Sequence, residues 1–246
     1  MSPPPPPVPV APWRVSLHGG HSGQFCGHAA GTLEEVLEAA VAAGFRVYGV
    51  SEHAPRSDER FLYQEERDHG FDVARLVRDF EEYAAESRRL VPLFAGRLTV
   101  LRGFEAEVVP EATWAAEMAE HRRRHGLDYV VGSVHHVDGH VIDGRPDELA
   151  AAIASRGGLE AVAVAYYRAL AAMVETLRPE VVGHFDLVRK LAAPFGAVDT
   201  PAARRAALDA LDAVAAAGSV LDVNTAGLRT GVGHPYPAPW IVREAA

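Results

Sequence analysis

Histidines and carboxylates gather in this sequence where short apolar runs end. His18, His21 and His28 fall within eleven residues, in SLHGGHSGQFCGH, among four glycines. His53 follows in SEH, Glu105 and Glu107 in FEAE, His135 in SVHH, and His184 and Asp186 in GHFD. Asn224 closes a sixth run, SVLDVN. Neutral imidazoles and carboxylates are the donors that divalent transition metals require. Six histidines and one glutamate at the ends of five successive apolar runs point to a metal centre.

Other histidines have plainer readings. His69, His121 and His125 read as hydrogen-bonded or surface residues, the last two in an Arg-rich helical segment. His140 and His234 sit in turn-rich stretches. His136 neighbours His135 and, on a strand, would face the opposite side.

The elements that must position these groups alternate. WRVSLH, FRVYGVS, RLTVLRGFE, DYVVGSVHH, EVVGHFD and SVLDVN read as six strands. Amphipathic helices separate them. Thr32 and Glu35 form a capping box that opens the first helix, and Gly44 closes it. Asp72 opens a helix with Val73, Leu76, Val77, Phe80 and Tyr83 on one face. Another runs through EATWAAEMAEHRRRHG. The stretch from Asp147 to Leu177 is helical with a break at Gly157 and Gly158. Pro201 starts a helix after Thr200 that ends near Ala217. APWIVREAA opens a last one. Such alternation implies a mostly parallel α/β sheet. In a βα barrel all strands end on one face, which would bring the polar residues together. No G-x-G-x-x-G opens a helix after a strand, and no Walker lysine is present.

The 246 residues, 48% hydrophobic, suffice for one core. A net charge of −9 argues against nucleic acid or an anionic membrane as partner. The single cysteine, Cys26, excludes an intrachain disulfide and suggests a reducing, cytoplasmic setting. Cys26 itself reads as a packed thiol or an occasional ligand. No apolar run reaches membrane-spanning length. Residues 1–12, MSPPPPPVPVAP, read as a Pro-rich disordered tail before one domain over 13–246.

In order, HGGHSGQFCGHA, SEHAP, GFEAE, VVGSVHHVDG, VVGHFDLVRK and NTAGLR resemble the polymerase and histidinol phosphatase (PHP) superfamily, most of all its bacterial histidinol-phosphatases. The resemblance implies a distorted, TIM-like barrel of seven βα units with three divalent metals, zinc, iron or manganese, at the strand ends. It implies that His18 and His21 hold the first metal and that Glu105 bridges the first and second. His135 and His184 would complete the second, and His28 and His53 would hold the third. The implied reaction is hydrolysis of L-histidinol phosphate, a small phosphate monoester, to L-histidinol in histidine synthesis, with a nucleotide or sugar phosphate as alternative substrate, or an inactive metal-binding module, as the other readings. Clustered cations would neutralise the ester and acidify the attacking water. Glu105, His53 and Asp186 are candidate catalytic groups, Asp186 by orienting an imidazole or the substrate amine. Arg189 and Arg229 are candidates for gripping phosphate through paired N–H groups. Glu107 is a candidate for binding the substrate's ammonium.

Two departures from the family pattern stand out. The usual His-x-His is here His18-Gly19-Gly20-His21, which a regular strand would split between faces. Gly19 and Gly20 are expected to adopt positive φ and form a bulge that restores convergence. Second, the family's further strand ending in Asp-x-His has no match after Asn224. The last strand-helix unit is therefore expected to be missing, by truncation, with water or a neighbouring chain as other sources of the absent ligands. Two unpaired sheet edges would then favour an oligomer over a monomer.

Overall fold

Local sequence chemistry sets most element boundaries in the computed structural model, which describes residues 14–246. The Pro-rich segment 1–12 lies outside the described residues. The chain runs β1 (Arg14–Ser16), α1 (Leu33–Ala42), β2 (Phe45–Val50), α2 (Gln64–Asp68), α3 (Val73–Phe94) and β3 (Thr99–Ala106). It continues through α4 (Trp114–His125), β4 (Tyr129–Gly132), β5 (His136–Val137), β6 (His140–Val141), α5 (Pro146–Arg156) and α6 (Leu159–Leu177). Then follow β7 (Val181–Val182), α7 (Pro201–Ala217), β8 (Val220–Leu221), α8 (Ala226–Arg229) and α9 (Pro239–Ala245).

The caps act as their chemistry requires. Thr32 accepts from the backbone N–H of Glu35, and the Glu35 carboxylate accepts from Thr32 N–H. Asp72 caps α3 through Arg75 N–H, and Thr200 caps α7 through Ala203 N–H. Gly157, at φ +82°, ends α5 and separates it from α6.

Six strands form one parallel sheet in the order β1-β2-β3-β4-β7-β8. Its strands lie in chain order with helical crossovers between them, and the sheet curls as part of a TIM-like barrel. Among the described residues its outer strands are β1 and β8. The small hairpin β5–β6 is an addition to the expected pattern.

Two apolar clusters flank the sheet. One packs α1 and α3 on β2 and β3 through Leu33, Leu37, Phe80, Tyr83, Val100 and Phe104. The other joins α5, α6 and α7 through Leu149, Tyr166, Leu170, Ala207 and Ala210. These faces leave the C-terminal strand ends free to carry polar groups. No single helix among the described residues is long and apolar enough to cross a membrane.

Candidate active site

Strand register places the cluster. Beyond β2 the chain continues to His53, which bridges Glu105 of β3 in parallel pairing. Glu105 N–H donates to the Glu52 carbonyl at 2.9 Å, and Ala54 N–H to the Glu105 carbonyl at 2.8 Å. Beyond β7, Gly183 N–H holds the Gly132 carbonyl at 3.0 Å. His184 follows at φ +24°, an uncommon backbone conformation for a side chain-bearing residue.

Five imidazoles converge on Glu105. Oε1 lies 3.0 Å from His184 Nε2, 3.2 Å from His18 Nε2 and 3.3 Å from His135 Nε2. Oε2 lies 3.2 Å from His21 Nε2 and 3.4 Å from His53 Nδ1. His28 joins from the side, with ring centroids 5.0 Å from His21 and 5.5 Å from His53. All seven residues line one cleft of about 580 Å³.

The donor chemistry fits divalent metals. Ligand atoms of His18, His21 and Glu105 lie within 4.8 Å of one another, as do those of Glu105, His135 and His184, and those of His21, His28 and His53. Glu105 offers about four lone-pair positions to five imidazole nitrogens that stand within 3.4 Å of it. Shared cations resolve that crowding. His184 Nδ1 is also buried without a hydrogen-bond partner.

Electrostatics splits the imidazoles. Burial is the largest influence on His18 and lowers its pKa, but Glu105 and Asp222 outweigh it and push the pKa up to about 9. Cys26 and Glu65 push His28 up to about 9 as well. For His53 burial wins and its pKa falls to about 4. Burial would raise Glu105, yet charge on His18, His53 and His135 holds it well below the usual carboxylate range.

The glycine hinge works differently from the sequence expectation. Neither Gly19 nor Gly20 lies at positive φ, and the register shift in β1 falls between Arg14 and Val15. The requirement is steric. A Cβ on Gly20 would stand 2.6 Å from Val50 Cα, and one on Gly19 2.6 Å from the Ser16 and Tyr48 hydroxyl oxygens. Because β1 ends at Ser16, His18 and His21 are freed from strand alternation and both reach Glu105.

Three expected residues do not line the cleft. Arg189 pairs with Asp186 and reaches Asp199 at 2.5 Å, so its guanidinium is already engaged and does not line the cleft. Asp186 is buried and accepts from Arg189 and from Ala238 N–H at 2.9 Å, orienting no imidazole. Glu107 is fully buried behind the imidazoles, where an ammonium in the cleft cannot reach it. It lies 3.2 Å from His53 Nδ1 and 3.3 Å from His135 Nδ1, and accepts from Tyr63 Oη at 2.8 Å and Arg56 at 3.2 Å. Arg229 does line the cleft.

Other groups escaped the sequence reading. Glu52 holds His21 Nδ1 at 3.3 Å and accepts from Ser22 N–H at 2.7 Å. Asp222 holds His18 Nδ1 at 2.9 Å. Lys190 and Asp143 line the cleft as a pair, 3.2 Å apart. Glu52 beside His53, and Asp222 two residues before Asn224, were visible as further polar groups at strand ends. Asp143 carried no such signal. Asn224 accepts from Ala226 N–H at 2.9 Å and so helps to start α8.

The PHP domain profile matches residues 17–226, from the residue before His18 to the start of α8. The chain belongs to the PHP family. A relative from Schizosaccharomyces pombe, named "Probable histidinol-phosphatase", is 33% identical over 91% of this PHP chain and 73% of its own. A Bacillus subtilis protein named "Histidinol-phosphatase" is 30% identical over 90% of this chain and 85% of its own. The crystal structure of hisK from Listeria monocytogenes superposes with a TM-score of 0.77 at 24% identity, over 92% of this chain and 89% of that one. That last likeness concerns the PHP fold.

Proposed function

We propose that this chain is a histidinol-phosphatase, hydrolysing L-histidinol phosphate to L-histidinol and phosphate. The observation that carries the reading is the convergence of five imidazoles on the buried Glu105 at the base of a cleft with Lys190 and Arg229 on its walls. The names borne by relatives that align over nine-tenths of the chain supply the substrate.

Residue roles follow from contacts. His18 and His21 with Glu105 would hold one cation, Glu105 with His135 and His184 a second, and His28 with His53 a third. Zinc, iron or manganese suits such a donor set. Bound there, these ions neutralise the phosphate oxygens and make water more acidic. Glu52 and Asp222 fix the ring orientations of His21 and His18 through Nδ1, leaving Nε2 of each directed inward. Lys190 and Arg229 attract the ester's dianion into the cleft. Water's oxygen bonds to phosphorus, the ester P–O bond breaks, and a proton ends on the departing alcohol. No residue of the cluster is required as a covalent nucleophile.

The partner is a small phosphate monoester, and this reading needs neither nucleic acid nor membrane. A reducing, cytoplasmic compartment suits its single thiol.

Phosphate release tests the proposal. Purified protein supplied with manganese or zinc should hydrolyse L-histidinol phosphate with kcat/KM at least about tenfold above glycerol phosphate or a nucleoside monophosphate. Preference for either of those esters, or no turnover of any, would overturn it.

A further inference from the structure

A second cleft, of about 350 Å³, opens beside the imidazole cluster and shares His28, His53, His135, Asp143 and Lys190 with the first. Beyond that seam its wall carries Glu65, Asp68 and Glu148 against the single Arg145. Each of these three carboxylates, like Asp143, has one oxygen engaged. Glu65 Oε1 meets His28 at 3.0 Å, Asp68 Oδ1 accepts from Gln64 at 2.8 Å, and Glu148 Oε2 accepts from Arg145 N–H at 2.7 Å. Asp143 differs because it sits where the two clefts meet. Its Oδ2 accepts from Lys190 at 3.2 Å, while Oδ1 has no partner among the described residues. The loop that carries it is fixed beside the cluster by Ile142 N–H, which donates to the His135 carbonyl at 3.0 Å.

We infer that Asp143 selects phosphate esters whose alcohol part carries a cationic amine. The inference rests on the phosphatase reading above. The phosphate lies at the imidazole cluster with Lys190 and Arg229, and the ammonium lies in the second cleft against Asp143. The two clefts thus match the two opposite charges of one small substrate. Lys190, the only lysine in the chain, lines both clefts and is held at the seam by the same carboxylate.

The test compares esters of opposite expectation in the full chain, using wild type and Asp143→Asn with manganese. For L-histidinol phosphate the variant should raise KM about tenfold, the loss of one charge-assisted contact. For p-nitrophenyl phosphate, which has no cationic group, KM should stay level or fall, because a carboxylate near the seam repels the dianion. Retained turnover of that ester also reports a folded variant. An equal loss on both esters, or no change on either, would overturn the inference. Calorimetric binding of L-histidinol reads Asp143 without turnover. Weaker binding by the variant supports the assignment, and equal binding, or none by the wild type, overturns it. Failure of wild type to turn over L-histidinol phosphate, with L-histidinol binding still dependent on Asp143, would instead remove the phosphatase reading.

Discussion

Glu107 Oε2 stands 3.3 Å from Nδ1 of His135, whose other ring nitrogen faces Glu105 at 3.3 Å. The imidazole is held between an inner and an outer carboxylate. The outer one is anchored by Tyr63 and by the buried Arg56, which also pairs with Glu66. Carboxylate–histidine contacts of this kind fix ring orientation and raise donor strength.

Glu107→Gln should therefore lower metal affinity about 10- to 100-fold, the usual effect of losing an outer-sphere partner. Metal per chain after dialysis against a graded chelator series measures it. Unchanged retention with a raised KM for amine-bearing esters would return Glu107 to substrate binding.

Glu105→Gln tests the centre itself. Several kcal/mol of charge stabilisation should vanish, roughly a thousandfold in kcat. Elemental analysis should also show fewer ions per chain than in the wild type. A variant with full metal content and activity would refute the cluster as drawn.

Metal binding should expel protons. His18 and His28, each raised to about 9 without metal, are protonated at pH 7 and must become neutral to act as ligands. Association constants should climb between pH 6 and 9, about tenfold per unit for each proton released. Calorimetry in buffers of different ionisation enthalpy counts those protons. The metal-free chain should show the opposite trend. The contribution of His18 and His28 to its stability is fully present below about pH 6.5, and it is lost as pH rises through about 9. Thermal melts of chelator-treated protein across that range check the sign.

The Gly19-Gly20 hinge makes a stability prediction. Gly20→Ala drives a Cβ to 2.6 Å from Val50 Cα, backbone that cannot swing aside, and should cost about 1–3 kcal/mol in denaturant titration. Gly27→Ala is the control, since no atom lies within 4 Å of its added Cβ. Equal stability of the two variants would remove the steric account of the hinge.

The sequence by itself determined what depends on near neighbours along the chain. Thr32 with Glu35 opens α1 because both capping bonds close within four residues. Thr200 and Pro201 start α7, and apolar runs alternating with helices imply a mostly parallel sheet. The seven clustered residues were legible because barrel-type strands all end on one face, so position along each strand sufficed. Tertiary structure alone decided which partner each polar group keeps. His18 meets Asp222 across 204 positions, and Lys190 meets Asp143 across 47. The sequence puts Glu107 just past the end of β3, yet its direction follows from Arg56 and Tyr63 packing behind it. Arg189 pairs with Asp186 and Asp199 instead of turning to the cleft. A residue's type announces what it can bond to. Among many competing donors and acceptors, only packing fixes distance and burial, and these determine which bond wins.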